Sequence, residues 1–231
     1  MKKINFLLLV FSLMFASCDS NVVTVRGELL GFKGTAKMSA EMPGQGKVVL
    51  AEQNVEDGQI HLNTEALVLP ARVWFTFNNG KTEFTKEFIL DAKDKCSIRG
   101  KGKFLDQMVI TGSALNKEYL ELTSQLNEKF DGPINKATRT IERIQAKDKP
   151  SQTDRVLLEY NLSTLSRHVS ARFRYAKRLI EANPDMEISM FVLKDMLKDS
   201  LEVSKAVFNK LNIENKASNI YQVLDGQFNK K

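Results

Sequence analysis

Two cysteines have the greatest capacity for covalent chemistry in this sequence of 231 residues. Cys18 directly follows the small residues Ala16 and Ser17, whereas Cys96 has lysine and arginine neighbours. The first setting suits acylation of the thiol, and the second suits a redox partner, because positive neighbours lower the pKa of a thiol. For Cys96 we prefer a structural role to a redox role, because free cysteines are usually buried and inert.

Other reactive combinations are missing from the sequence. His61 and His168 are its only histidines, and neither stands at metal-ligand spacing from a cysteine. Acidic residues such as Glu83 and Glu87 come without a neighbouring nucleophile or base, and the glycine-rich stretches lack the phosphate-binding pattern. We therefore expect no enzyme activity, no cofactor and no metal site. The net charge of +6 is too small an excess to predict nucleic-acid binding.

The first 17 residues have the layout of a secretory signal peptide. Lys2 and Lys3 precede an almost purely apolar run over residues 4–15, and small residues follow it. The run is shorter than the roughly 20 apolar residues that a membrane-spanning helix needs. We expect residues 1–17 to direct export and then to be removed.

The residues at the expected cut resemble a lipid-attachment motif. Phe15-Ala16-Ser17-Cys18 is similar to the lipobox of bacterial lipoproteins, in which the cysteine accepts a diacylglycerol group and becomes the new first residue. The resemblance implies that residues 18–21 form a lipid-anchored tether to a membrane of a bacterial cell envelope. The outer membrane is favoured over the inner one, and the chain would face the periplasm or the surface. A plain secretory signal with an incidental cysteine is the alternative.

Residues 22–112 have the pattern of short strands separated by turns. Extended β-branched runs recur, and the strongest of them covers residues 72–77. Asn79-Gly80 after this run predicts a hairpin, and Asp57-Gly58 stands between two shorter runs as a hairpin turn would. The spacing favours an antiparallel β-sandwich-like domain or a partly open barrel.

Residues 113–231 have helical periodicity instead. An apolar stripe from Leu115 to Ile144 predicts a first long helix that Gly132-Pro133 must kink or split. Ser151 to Asp154 resembles a capping box and opens a second long helix that ends at Asn183-Pro184. We expect these two helices to form an antiparallel hairpin. Shorter helices should follow at about 187–198, 200–211 and 217–228, so the fold class is α+β.

Four short stretches give the chain a wider resemblance. They are Val25-Arg26-Gly27-Glu28-Leu29, Glu56-Asp57-Gly58-Gln59-Ile60, Ile110-Thr111-Gly112-Ser113 and Glu181-Ala182-Asn183-Pro184. In order and spacing they resemble the N-terminal region of envelope lipoproteins of the thioredoxin-like thiol–disulfide oxidoreductase class. That region is a small β-domain of unknown function followed by helices. The catalytic Cys-x-x-Cys of the class has no counterpart in these 231 residues, so its redox chemistry is not expected here.

Three further features could bind partners, and each has a simpler explanation. Arg167, Arg174 and Arg178 fall near one helix face and could meet an anionic partner such as a lipid headgroup, although a solvated face is the preferred explanation. Aromatic residues at 74, 75 and 77 could form a ligand platform or simply pack in the core. Asp199-Ser200-Leu201 resembles an envelope O-glycosylation acceptor, and a helix cap explains it as well.

The last predicted helix offers the clearest partner surface. Ile220, Val223, Leu224 and Phe228 form an apolar stripe near the end of the sequence. If the long hairpin does not use that stripe, it predicts self-association or a protein partner through the helical domain. We therefore expect a non-catalytic binding or scaffold module, with an accessory subunit of a separate thioredoxin-like oxidoreductase as the alternative.

Overall fold

The structure, a computed structural model, describes residues 22–91 and 95–229. Its strands are β1 (Val23–Leu30), β2 (Gly34–Met42), β3 (Gly46–Val55), β4 (Gln59–Thr64), β5 (Ala71–Asn78), β6 (Glu83–Leu90), β7 (Ser97–Lys101) and β8 (Val109–Thr111). Its α-helices are α1 (Ala114–Leu126), α2 (Gly132–Gln145), α3 (Gln152–Ala182), α4 (Ile188–Met196), α5 (Leu201–Phe208) and α6 (Asn219–Phe228). The predicted signal peptide, the tether and Cys18 lie outside the described residues.

The strands form two four-stranded sheets. One sheet has the order β4-β1-β7-β8 and the other has the order β3-β2-β5-β6. All neighbouring strands are antiparallel except β1 and β7, which pair in parallel. Val25 and Ile98 from the first sheet share one hydrophobic core with Val73 and Phe75 from the second. The predicted α+β class is confirmed.

The two predicted turns have different outcomes. Asn79-Gly80 joins the paired strands β5 and β6, as expected, and Gly80 has a φ of +82°. Asp57-Gly58 does not close a hairpin, because β3 and β4 belong to different sheets. The turn carries the chain from one sheet to the other. Gln53 stays in contact across it, since its side-chain oxygen accepts a 2.8 Å hydrogen bond from the backbone of His61.

The helix boundaries follow the expected local signals. A π-helical turn at Asn127–Asp131 separates α1 from α2 directly before Gly132-Pro133. At the start of α3, Ser151 and Asp154 form the predicted capping box, with reciprocal bonds of 3.1 and 2.9 Å. Hydrogen bonds from Lys147 and Ser151 lower the pKa of Asp154 to about 2.

Residues 132–182, which contain α2 and α3, are called the helical arm below. Within it, α2 packs against α3 and the preceding π-helical turn rather than against either sheet. The ends of the arm helices meet pairwise: Asp131 contacts Arg172 at 2.7 Å, and Lys147 contacts Asp154 at 2.6 Å. Near its C-terminal end α3 enters the helical core through Ala176.

The apolar stripe of α6 is not the exposed partner surface that the sequence suggested. Ile220, Val223, Leu224 and Phe228 are all buried. Their burial has a clear cause, because the short helices fold over one another and place the rings of Phe208 and Phe228 only 5.5 Å apart. The fold itself therefore uses this stripe.

Candidate functional site

A group of charged side chains around a buried arginine lies where the second sheet meets the helices. Arg72 stands near the start of β5, and its side chain is only 8% exposed. Its two terminal nitrogens donate hydrogen bonds of 2.7 and 2.6 Å to the two carboxylate oxygens of Asp195 on α4. Strand alternation explains the direction of Arg72, because Val73 and Phe75 take the places that face the core of the sheets.

Other side chains complete the environment of this ion pair. Glu87 on β6 lies 3.2 Å from the Nε atom of Arg72, although the pair is not aligned as a hydrogen bond. The hydroxyl of Tyr119 on α1 donates a hydrogen bond to Asp195. The rings of Tyr119 and Phe191 have their centroids 5.4 and 5.5 Å from the guanidinium carbon. Aromatic faces attract a cation at this distance. These residues are called the Arg72 cluster below.

The surroundings of the cluster raise the pKa of both Arg72 and Tyr119. Burial by itself would lower the pKa of Arg72, but the hydrogen bonds and charge of Asp195 and the charge of Glu87 outweigh burial and raise it. Burial, followed by the charge of Asp195, raises the pKa of Tyr119 above its ordinary value. Arginine is always protonated in proteins and Tyr119 keeps its hydroxyl proton at neutral pH, so neither group is poised to transfer a proton. The arrangement instead joins a strand of the second sheet to α1 and α4.

Further polar contacts join the same two parts of the molecule. Lys194 forms an ion pair with Glu41 on β2. The side-chain amide of Asn219 donates a 2.9 Å hydrogen bond to the backbone oxygen of Glu41, and that of Asn215 donates a 2.8 Å bond to the backbone oxygen of Leu69. The first two contacts join α4 and α6 to β2 of the second sheet, and the third joins the segment before α6 to the segment before β5.

The other residues singled out in the sequence are placed apart from one another. Cys96 is a buried thiol, 5% exposed, within the core of the sheets. Phe75 and Phe77 are fully buried in that core, whereas Trp74 is half-buried and has the Lys47 ammonium 4.7 Å from its ring centroid. The three aromatic residues therefore do not form a joint exposed platform.

The remaining candidates are spread over the surface. Ser200 stands at the start of α5 and makes no side-chain capping bond there. Arg167, Arg174 and Arg178 are exposed on α3. Among residues 22–91 and 95–229, no group of three or more histidine, cysteine or acidic side chains is arranged to hold a metal ion. No helix in those ranges is both long and apolar enough to span a bilayer.

The Arg72 cluster is a site that sequence reasoning missed. Arg72 and Asp195 are 123 positions apart, so no local pattern joins them. One usable signal was present at one end of the pair: Arg72 is the single charged residue of the strand Ala71–Asn78. A charge in such a segment usually has a buried partner. No family model matches the chain, and neither the curated proteins nor the solved structures contain a match.

The raised pKa of Tyr119 predicts a specific sensitivity to alkaline pH. The ordinary pKa of tyrosine is about 10, and the folded chain keeps this proton at a pH where the unfolded chain has lost it. The stability that Tyr119 contributes is therefore fully present below about pH 10 and is lost as the pH rises further. Urea unfolding from pH 8 to 11 should show a smaller loss of stability in Tyr119→Phe than in the wild type. Tyr160→Phe, at a tyrosine 65% exposed, should follow the wild-type curve.

Proposed function

We propose that this protein is a non-catalytic lipoprotein of a bacterial envelope, tethered through Cys18, whose fold presents a helical hairpin from a β-sandwich-like body. The Arg72 cluster is the observation that carries the proposal. Charged groups from the second sheet and the helices meet there, and their contacts fix the arrangement of the sheet and the helices. A scaffold or binding module needs such a fixed body.

The helical arm supports the same proposal. Because α2 packs on α3 rather than on a sheet, the distal part of the arm adds little to either hydrophobic core. A segment of this length that the core does not need is well suited to contact another surface. The expected tether is consistent with this role, since it would hold the body beside a membrane.

An accessory role beside a separate thioredoxin-like oxidoreductase is the second candidate. The stretch Ile110–Ser113, which carries part of the resemblance to that class, lies where the sheets give way to α1. Ser113 caps α1 by accepting a 3.0 Å bond from Asn116, and the side chain of Asn116 accepts a 2.9 Å bond from the backbone of Ile89. These contacts give the stretch a structural role at the junction between the sheets and α1.

Replacement of Cys18 tests the tether. In cells of the source bacterium, or of a host that processes lipoproteins, the wild-type chain should fractionate with membranes and take up radiolabelled palmitate. Cys18→Ala should take up no label and should appear as a released or unprocessed protein, because no other residue is placed to accept the lipid. Cys96→Ala is the matched control and should be labelled like the wild type. Processed Cys18→Ala that stays with membranes would refute the tether.

Crosslinking in intact envelopes separates the two candidate functions. Repeated recovery of a thioredoxin-like protein joined to this chain would favour the accessory role. Recovery of other envelope components at the helical arm, with no such protein, would favour the scaffold role. The site of each crosslink is informative, because the Arg72 side chain is buried, whereas arm residues such as Lys136, Arg139 and Arg167 are exposed.

A further inference from the structure

The charge of the chain is concentrated on the helical arm. Residues 132–182 contain eleven lysines and arginines but only five acidic residues. The rest of the sequence contains 23 basic and 23 acidic residues and is therefore neutral. The net charge of +6 noted for the whole sequence is thus the charge of the arm. An uneven distribution of this kind is a physical argument about the sign of a partner.

The basic residues gather on one side of the arm. The pairwise meeting of the helix ends shows that α2 and α3 run antiparallel. In an antiparallel pair, residues one position before the buried contact positions lie on the same side of both helices. Lys136 and Arg143 precede the buried residues Ala137 and Ile144 in this way, and Tyr160 precedes the buried Asn161.

Helical spacing extends this side along both helices. Arg139 lies between Lys136 and Arg143 at steps of three and four, and Arg167, Arg174 and Arg178 continue the line of Tyr160 at steps of seven, seven and four. All six basic side chains are exposed. Within the part of the chain that the structure describes, no ion pair joins any of them to a carboxylate. These six residues are called the basic face below.

Apolar side chains are exposed on the same side, close to the turn between the two helices. Tyr160 is 65% exposed, Val156 is 61% exposed and Leu157 is 37% exposed. Val156 and Tyr160 are four positions apart and therefore neighbours on the helix surface. Leu157 precedes the half-buried Leu158, which places it on the same side as Tyr160. An ordinary solvated face would carry polar residues at these positions.

We infer that the basic face and these three apolar residues bind the anionic phosphate headgroups of a membrane surface. Basic residues combined with tyrosine and aliphatic side chains are typical of helices that lie in the headgroup region, where the cations meet phosphates and the apolar groups enter the boundary of the acyl chains. A second copy of the chain fits poorly, because two arms of the same positive charge repel each other. A single-stranded polynucleotide fits less well, because its bases bind by stacking on aromatic rings. Aliphatic residues such as Val156 and Leu157 do not provide such rings.

The inference rests on the proposed function in one respect only: the proposed tether brings the arm to a membrane. A tether of four residues spans at most about 14 Å, so it would keep the body beside the surface and raise the effective concentration of the arm there. Binding itself is a property of the folded chain and is testable without the tether. Both hydrophobic cores of the described residues lie within residues 23–228, so a chain that begins at Val22 keeps both cores.

Vesicle sedimentation tests the inference with that chain. Vesicles of equal parts phosphatidylglycerol and phosphatidylcholine should bind it at 0.1 M salt at least tenfold more tightly than pure phosphatidylcholine vesicles. The triple variant Arg167→Gln, Arg174→Gln, Arg178→Gln should lose at least tenfold in affinity for the anionic vesicles. Raising the salt to about 0.5 M should weaken wild-type binding similarly, because salt screens exposed charges. Replacement of Val156, Leu157 and Tyr160 by serine should also weaken binding, but with the salt dependence retained.

A matched control separates the basic face from total charge. Lys33, Lys81 and Lys101 are exposed lysines of the β region, and their replacement by glutamine removes the same three charges. That variant should bind anionic vesicles within about twofold of the wild type. Equal loss in both triple variants, equal binding to both kinds of vesicle, or binding to a polynucleotide without binding to vesicles would overturn the inference. Since the test chain lacks Cys18, none of these outcomes depends on whether the natural chain is lipidated.

Discussion

Asp195→Asn is expected to lower the free energy of unfolding by about 3–5 kcal/mol, the cost typical of breaking a buried ion pair. The substitution keeps the shape of the side chain but removes its charge. Arg72, whose side chain is only 8% exposed, then keeps the half-exposed Glu87 as its remaining carboxylate neighbour. The Arg72 guanidinium stays charged, because arginine does not lose its proton in proteins. The folded chain must therefore hold a poorly compensated charge that the unfolded chain exposes to water.

Urea unfolding followed by circular dichroism would measure this effect. Lys37→Gln is the matched control, because Lys37 and Glu52 form a 3.3 Å pair whose side chains are 38% and 52% exposed. Exposed pairs contribute at most about 1 kcal/mol. The double variant Arg72→Met, Asp195→Leu should regain much of the lost stability, since it removes both charges together. A cost for Asp195→Asn no larger than that for Lys37→Gln would contradict the role given to the Arg72 cluster.

The helical half of the fold was largely predictable because its signals are local. Capping at Ser151, the break at Gly132-Pro133 and the end of α3 before Asn183-Pro184 each depend on residues within one or two turns. Such interactions form without knowledge of the rest of the chain. The use of the α6 stripe was not predictable in the same way. Whether Ile220 or Phe228 meets solvent or another helix depends on how the short helices fold over one another.

The sheets show where local signals fail. The strand β2 (Gly34–Met42) was not anticipated, because its alanines, methionines, lysine and glutamate favour helices over strands. It is nevertheless an inner strand, paired with both β3 and β5, and it buries Ala36, Met38 and Ala40 against the core. The pairing of β2 also slips between Met38 and Ser39. The segment does alternate apolar residues at 36, 38, 40 and 42 with polar residues between them, which is the period-two pattern of a half-buried strand. Burial of that apolar face outweighs the low strand propensity of its residues.

The Arg72 cluster was unpredictable for a related reason. It brings together side chains from β5, β6, α1 and α4, and each of them has an ordinary local setting. The basic face of the arm was predictable in part. Its arginines on α3 were visible as a helical stripe, but no local pattern indicates that α2 adds three more basic residues to the same side. Sequence reasoning therefore favoured a solvated face, whereas the placement of both rows on one side leads us to infer an anionic partner.

Gly27→Ala is expected to destabilise the protein by about 3 kcal/mol or more, at or above the upper end of what overpacking a core costs. Gly27 lies opposite Ile98 where β1 and β7 pair in parallel. A Cβ atom at this position would lie 2.1 Å from the backbone oxygen and 2.6 Å from the Cβ of Ile98. Because backbone atoms do not move aside through a rotamer change, the two strands would have to separate. The weakened pairing would affect β1, the strand that directly follows the expected tether.

Gly44→Ala is the control that shows whether the destabilisation by Gly27→Ala comes from the close approach of two strands. Gly44 has a φ of +73° in the turn between β2 and β3, and nothing lies within 4 Å of a Cβ built there. Alanine at Gly44 meets only the left-handed backbone penalty of roughly 1–2 kcal/mol. Urea midpoints should therefore fall in the order wild type, Gly44→Ala, Gly27→Ala, and amide exchange should rise in β1 and β7 only for Gly27→Ala. If the two alanine variants were equally stable, the parallel contact between β1 and β7 would be looser than the structure has it, and the first sheet would be held mainly by its β1–β4 pairing.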